Sequence, residues 1–297
     1  MAGLSLPSAL RNIGLLLRDT VEGFIDDDAL SRGASIAYYT LFSLAPVLLI
    51  AIAIAGLAFG PDAARGAIVD QLGGLMGGKS AETLQVMIES ASNPKTGVMA
   101  SIIGVVAALI TITGAFGEVQ SALNAIWKAK SRRSTLSRLM RARLASLGLV
   151  ATSGFLLTAS LVVSAALAAL SDYLKAVFPE AELTLQIVNI VISAVLLTTM
   201  FAAIYKVLPD TPIAWHDVII GALFTAGLFE GGKYVIALYI GKSNVASSYG
   251  AAGALIILLL WIFYSAQIFL LGAEFTRTFA RRYGTHAGRE VSSPIPS

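Results

Sequence analysis

Glu230 and Lys233 carry opposite charges three residues apart within an apolar run, Val218–Ile240. Positions three apart share one face of a helix, so the carboxylate and the ammonium can neutralise each other. A charge in hydrocarbon costs about 2.5–3.5 kcal/mol, so such a pair either fastens packing or faces a path wet enough for a charged solute. Two more carboxylates lie in or at the ends of apolar runs: Glu118, close to Gly114 and Gly117, and Glu274, two turns after Gln267. Each either sits at headgroup depth or faces a cavity. Tyr38 and Tyr39, with Thr40 and Ser43, make the start of another run polar. Pro46 then removes a backbone donor and leaves the Phe42 carbonyl without its helical partner, which predicts a kink. Seven cations crowd one segment: Lys128, Lys130, Arg132, Arg133, Arg138, Arg141 and Arg143. They act as a topology signal or as contacts for anionic lipid headgroups.

Enzyme chemistry has little to stand on. Cysteine is absent and the two histidines, His216 and His286, are too few for a metal cluster. No nucleophile elbow or zinc-binding His pair occurs, and Gly241-Lys242-Ser243 lacks the upstream glycine of a phosphate loop. A net charge of +3 does not point to nucleic acid. The expectation is a protein that is not an enzyme, with no cofactor or metal and with membrane lipids as its partners.

The elements that must position these residues follow from composition. With 56% hydrophobic and 13% charged residues, the chain cannot cover a water-facing surface of its size. A bilayer core about 30 Å thick needs roughly 20 helical residues. Six runs meet that length: Ala34–Phe59, Val98–Trp127, Leu144–Leu170, Leu185–Leu208, Val218–Ile240 and Ala251–Gly272. The fold class is therefore all-α, a polytopic membrane helical bundle with about six transmembrane helices and short interfacial helices.

Fifteen lysines and arginines fall on one side of these runs and five on the other, which places both termini and the loop Lys128–Arg143 in the cytoplasm. Residues 1–33 read as a cytoplasmic amphipathic segment, 34–275 as the transmembrane domain and 276–297 as a basic, partly disordered tail. Leu10, Ile13, Leu17, Val21 and Phe24 form an apolar stripe opposite Arg11, Arg18, Asp19 and Glu22, as in a helix lying along the interface. A second amphipathic helix is expected near Leu84, Met87, Ile88 and Ala91, after a flexible break at Gly73–Gly78. Thr113–Glu118 and Thr225–Glu230 share a threonine five residues before a glutamate, a weak hint of inverted halves around a transport site.

Several segments together resemble the YihY/BrkB family of bacterial inner-membrane proteins, which has also carried the label ribonuclease BN. They are Ala37-Tyr38-Tyr39 with Phe42–Pro46, Leu123–Trp127, Leu208-Pro209 with Trp215, Glu230 and Lys233 with Tyr239, Tyr249–Gly253, and Trp261 through Glu274. The resemblance implies a six-helix inner-membrane protein and, through the family's virulence label, a role in the cell envelope. The nuclease label implies an activity that no residue set here supports. The expected function is transport or handling of an amphiphilic, anionic envelope molecule or lipid; the alternative is a non-transporting scaffold for envelope assembly.

Orientation is open to direct measurement. Thr135→Cys, the sole thiol in the chain, should resist an impermeant maleimide in intact cells and react after permeabilisation. Labelling from outside would reverse the assigned topology.

Overall fold

The computed structural model describes residues 6–76, 85–86, 88–89, 98–129, 182–242 and 251–284. Seven long helices account for most of these: α1 (Leu6–Asp26), α2 (Ala29–Phe59), α3 (Pro61–Met76), α4 (Val98–Ile126), α5 (Glu182–Val207), α6 (Trp215–Lys242) and α7 (Ala251–Arg282). No strand occurs among the described residues. Within α2, α5, α6 and α7 lie segments long and apolar enough to cross a membrane: Ala29–Leu57, Ile190–Val207, Trp215–Ile236 and Leu255–Arg282. Helix α4 coincides with the second apolar run of the sequence. The third run, 144–170, lies outside the described residues, as do Lys130, Arg132, Arg133, Arg138, Arg141, Arg143, Tyr249 and the tail beyond 284.

Three boundaries differ from the expected ones. Helix α2 begins at Ala29, directly after Asp28 adopts left-handed geometry at φ 52°, a conformation aspartate tolerates better than most residues. Helix α7 runs on to Arg282, past Gly272, because Phe275, Phe279 and Tyr283 stack along it at 6.3 and 5.8 Å and α1 packs against it. Of the expected break at Gly73–Gly78, the part up to Met76 is instead the end of α3, and Gly77 and Gly78 lie outside the described residues. That helix starts well, with Pro61 at its first position and Asp62 in its first turn. Gly60 supplies the turn at φ 86°, and Ala64 and Ile68 bury against α2. Pro46 lies inside α2 without ending it.

Helix α1 has three faces rather than two. Ile13, Leu17 and Val21 form an exposed apolar stripe, and Arg18 and Glu22 pair at 2.7 Å on the charged side. The buried face is different: Leu16 and Thr20 turn inward, and Thr20 returns its hydroxyl hydrogen bond to the Leu16 carbonyl at 2.8 Å.

Helix α7 is the hub, packing on α1, α2, α4 and α6. Its polar side chains approach neighbouring helices where those carry glycine. Gln267 lies over Gly33 of α2, Glu274 over Gly23 of α1, Thr276 over Gly221 of α6, and Tyr264 over Gly232 of α6. The α6–α7 contact is reciprocal, since Thr225 of α6 lies over Gly272 of α7. Without a hydrophobic drive between helices in lipid, such close approach supplies the packing energy. Tyr205 of α5 joins the same level, donating to the Phe269 carbonyl at 2.7 Å and lying 3.1 Å from the Thr225 hydroxyl.

A methyl at Gly272 would stand 2.7 Å from the Tyr205 hydroxyl, whereas one at Gly227 would meet nothing within 4 Å. Gly272→Ala should therefore destabilise by about 1–3 kcal/mol through overpacking. Gly227→Ala should be neutral or slightly stabilising, and thermal unfolding in detergent compares the two.

Candidate functional site

The predicted pair forms. On α6 the Lys233 ammonium bridges Glu230, and Ser193 of α5 donates to Glu230 Oε1 at 3.1 Å. Lys233 also lies 5.5 Å from the centre of the Tyr234 ring. The pair is reachable: each side chain keeps 26% of its surface accessible. Gly227 and Gly231, flanking Glu230, are exposed with no atom in front of them. An apolar groove of about 530 Å³ runs between α5 and α6, walled by Ala194, Thr198 and Ala202 on one side and Trp215, Ile219 and Leu223 on the other. Steps of four, four, seven and three from Trp215 through Ile219 and Leu223 to Glu230 and Lys233 keep all five on one stripe of α6. At the Trp215 end, Lys206 lies 5.3 Å from the indole and donates to the Ile213 carbonyl.

A second charged centre ties α1, α4 and α7 together, and only part of it was expected. Asp27, buried just past α1, receives the Lys128 ammonium on one oxygen and Arg277 at 3.1 Å on the other. Arg277 also lies 3.5 Å from Glu274, which is fully buried. Lys128, read from the sequence as a lipid-headgroup contact, thus has its ammonium on a protein carboxylate. It sits at φ 48°, where glycine is usual. Ala129 N–H bonds the Asn124 carbonyl at 2.9 Å and Lys128 N–H bonds the Ala125 carbonyl at 3.0 Å, the double closure that ends a helix with a left-handed residue. A lysine here accepts backbone strain for the sake of its reach to Asp27.

Asn124 makes a reciprocal clamp on the α5–α6 turn. Its amide donates to Asp210 Oδ2 at 2.9 Å, and the Asp210 backbone N–H donates to its Oδ1 at 2.8 Å. Gln120 adds a bond to the Leu208 carbonyl at 3.2 Å. The segments Leu123–Trp127 and Leu208-Pro209, picked out separately in the sequence, are thereby brought together.

The remaining predicted residues stand apart from the Glu230–Lys233 pair. Tyr38 packs edge-on to Tyr39 at 5.5 Å and against Phe42 at 4.9 Å, with all three exposed, and Tyr39 lies over Gly114 of α4. Glu118 is half-buried on α4 and joins neither charged centre. The matching threonine of the suspected repeat, Thr225, lies against Gly272 of α7 and the Tyr205 hydroxyl of α5. Asp27, Arg277, Asp210 and Tyr205 were not singled out by sequence reasoning, and Asn124 entered it only as part of the segment Leu123–Trp127. The Asp26-Asp27-Asp28 run beside an amphipathic helix was the one available signal.

Comparison with known proteins gives a consistent result. A family profile described as "Virulence factor BrkB" matches residues 20–294. A UPF0761 membrane protein of Ralstonia nicotianae is 31% identical over 256 residues, covering 85% of this chain and 56% of that one. Another, of Pseudoalteromonas translucida, is 31% identical over 254 residues, covering 85% and 81%. A third, of Alcanivorax borkumensis, is 28% identical over 273 residues, covering 86% and 58%. The chain thus spans little more than half the length of the first and third relatives. No solved structure matches it.

The strain at Lys128 separates two contributions. Lys128→Gly loses the bridge to Asp27 but relieves the backbone, while Lys128→Ala loses the bridge and keeps the strain. Stability should fall in the order wild type, Lys128→Gly, Lys128→Ala, with about 1 kcal/mol between the two variants. Chemical denaturation in detergent measures it, and the reverse order would remove the strain argument.

Proposed function

The chain belongs to the BrkB virulence-factor family, whose relatives here are membrane proteins, and from that premise we propose that it moves or holds an anionic amphiphile within the cytoplasmic membrane. The observation that carries this reading is the shared stripe on α6, which walls an apolar groove from Trp215 to Leu223 and carries a reachable ion pair two turns further on. An acyl chain fits the groove by burying apolar surface against Ile219, Leu223 and the small residues of α5. The headgroup's negative charge then competes with Glu230 for Lys233, while Ser193 goes on donating to the released carboxylate. Because Glu230 and Lys233 neutralise each other at rest, an empty site places no net charge in the hydrocarbon. In this reading both termini face the cytoplasm, and Lys206 with Trp215 stands where the groove meets that surface.

The pair can be removed as a unit. Glu230→Gln alone leaves Lys233 unpaired at a cost of up to about 3 kcal/mol in lipid, and the Glu230→Gln, Lys233→Met double variant should recover most of that. In vesicles containing a headgroup-labelled phosphatidylglycerol, the wild-type protein should speed leaflet exchange about tenfold or more over protein-free vesicles, a barrier change of about 1.4 kcal/mol. The folded double variant should fall back to the protein-free rate. A double variant as fast as wild type would sink the role of the pair, and a wild-type protein without effect would favour a scaffold.

A further inference from the structure

Independently of the groove, the other end of α7 holds a cavity of about 440 Å³ between that helix and α1. Asp19, Glu22 and Asp26 of α1 line one wall, with Asp27 following, and Arg277, Arg281 and Arg282 of α7 line the other. Spacings of three and four gather Asp19, Glu22 and Asp26 into one stripe of α1, and a spacing of four aligns Arg277 and Arg281 on α7 with Arg282 beside them, so an acidic wall faces a basic one. Among the described residues, ion pairs join the walls at two points, Arg282 with Asp19 at 3.1 Å and Arg277 with Asp27 at 3.1 Å. Asp26 and Arg281 line the opening between them, are both exposed, and take part in no ion pair among the described residues.

The floor carries the second observation. Glu274 lines the cavity, is fully buried, and its Oε1 has no hydrogen-bond partner. A buried acceptor left unmatched in this way is a vacant place for a donor. Gly23 keeps space over the same carboxylate, since a methyl there would stand 2.8 Å from Oε2.

We propose that this cavity is a binding site for a zwitterion, a primary ammonium joined by a short link to a phosphate or carboxylate. The ammonium donates to Glu274 Oε1 and Asp26, and the anionic group lies against Arg281 and Arg277. A simple anion would face the acidic wall and a simple cation the basic one, so neither satisfies both. The volume lies within the range of small-molecule pockets. The cavity borders the end of a segment long and apolar enough to cross a membrane and a helix with an exposed apolar stripe, a combination that suits headgroup depth. The headgroup of an ethanolamine phospholipid and a free zwitterion therefore present the same chemistry here.

The full-length protein in a non-ionic detergent provides the test. Binding of short-chain phosphatidylethanolamine, phosphatidylcholine, phosphatidylglycerol and free phosphoethanolamine is read by native mass spectrometry and by the shift in unfolding temperature. Phosphatidylethanolamine should bind about tenfold or more tighter than phosphatidylcholine, which lacks N–H donors, and phosphatidylglycerol, which lacks the ammonium. Asp26→Asn and Arg281→Gln alter exposed groups outside any ion pair, so ligand-free unfolding should not move. Each should weaken binding about tenfold. Phosphoethanolamine binding as well as the lipid identifies the free zwitterion as sufficient, and binding of the lipid alone identifies the bilayer as the source. Equal affinity for the three lipids, no binding of any probe, or binding unchanged in both variants would overturn the proposal.

Discussion

A polar side chain on a helix in an apolar surrounding must find a partner within reach, and reach is set by how near two backbones can come. Helix α7 shows such close approach repeatedly, with Gln267, Glu274, Thr276 and Tyr264 each set against a glycine of another helix. The glycines differ in sequence context, yet they do one job: they let the helix axes approach until the polar group is covered. The α6–α7 pairing does this in both directions, with Thr276 over Gly221 and Thr225 over Gly272. Threonine can serve because its hydroxyl also bonds the carbonyl four residues back, at 2.7 Å in both cases. Both threonine hydroxyls are thus satisfied within their own helices.

Charge is handled differently at the two centres. On α6, one acid and one base three residues apart neutralise each other along a single helix. At the α1 end, Asp27, Lys128, Arg277 and Glu274 come from distant parts of the chain, and their balance depends on tertiary structure. That dependence shows in the backbone. Asp28 and Lys128 both hold positive φ beside the cluster, so the turns that deliver the charges are themselves strained. Loss of tertiary packing would release that strain and separate the charges together.

Much of the architecture was legible because the bilayer sets a length and a polarity that composition reveals directly. The Glu230–Lys233 contact was legible for a similar reason, since a spacing of three needs only helical geometry. The α1-end cluster was not, because Lys128 and Arg277 lie 101 and 250 residues from Asp27, and no period links them. Leu123–Trp127 and Leu208-Pro209 stood out in the sequence as separate segments, but nothing local could say that Asn124 meets Asp210 across 86 residues. The buried face of α1 was misjudged for a subtler reason. The apolar stripe at Ile13, Leu17 and Val21 is exposed, while the inward side is made of Leu16, Thr20 and Asp27, too mixed in type to form a pattern.

Tyr205 has a mechanical consequence. Its hydroxyl lies against Thr225 of α6 and the Phe269 carbonyl of α7, so helices α5, α6 and α7 are pinned at one level. A pinned bundle pivots rather than slides, and displacement grows with distance from the pin. Along α6, Trp215 lies about 15 Å from Thr225 and Glu230 about 7.5 Å away on the other side, at 1.5 Å per residue. A tilt of α6 about this level would carry the mouth of the groove twice as far as the ion pair, and in the opposite direction.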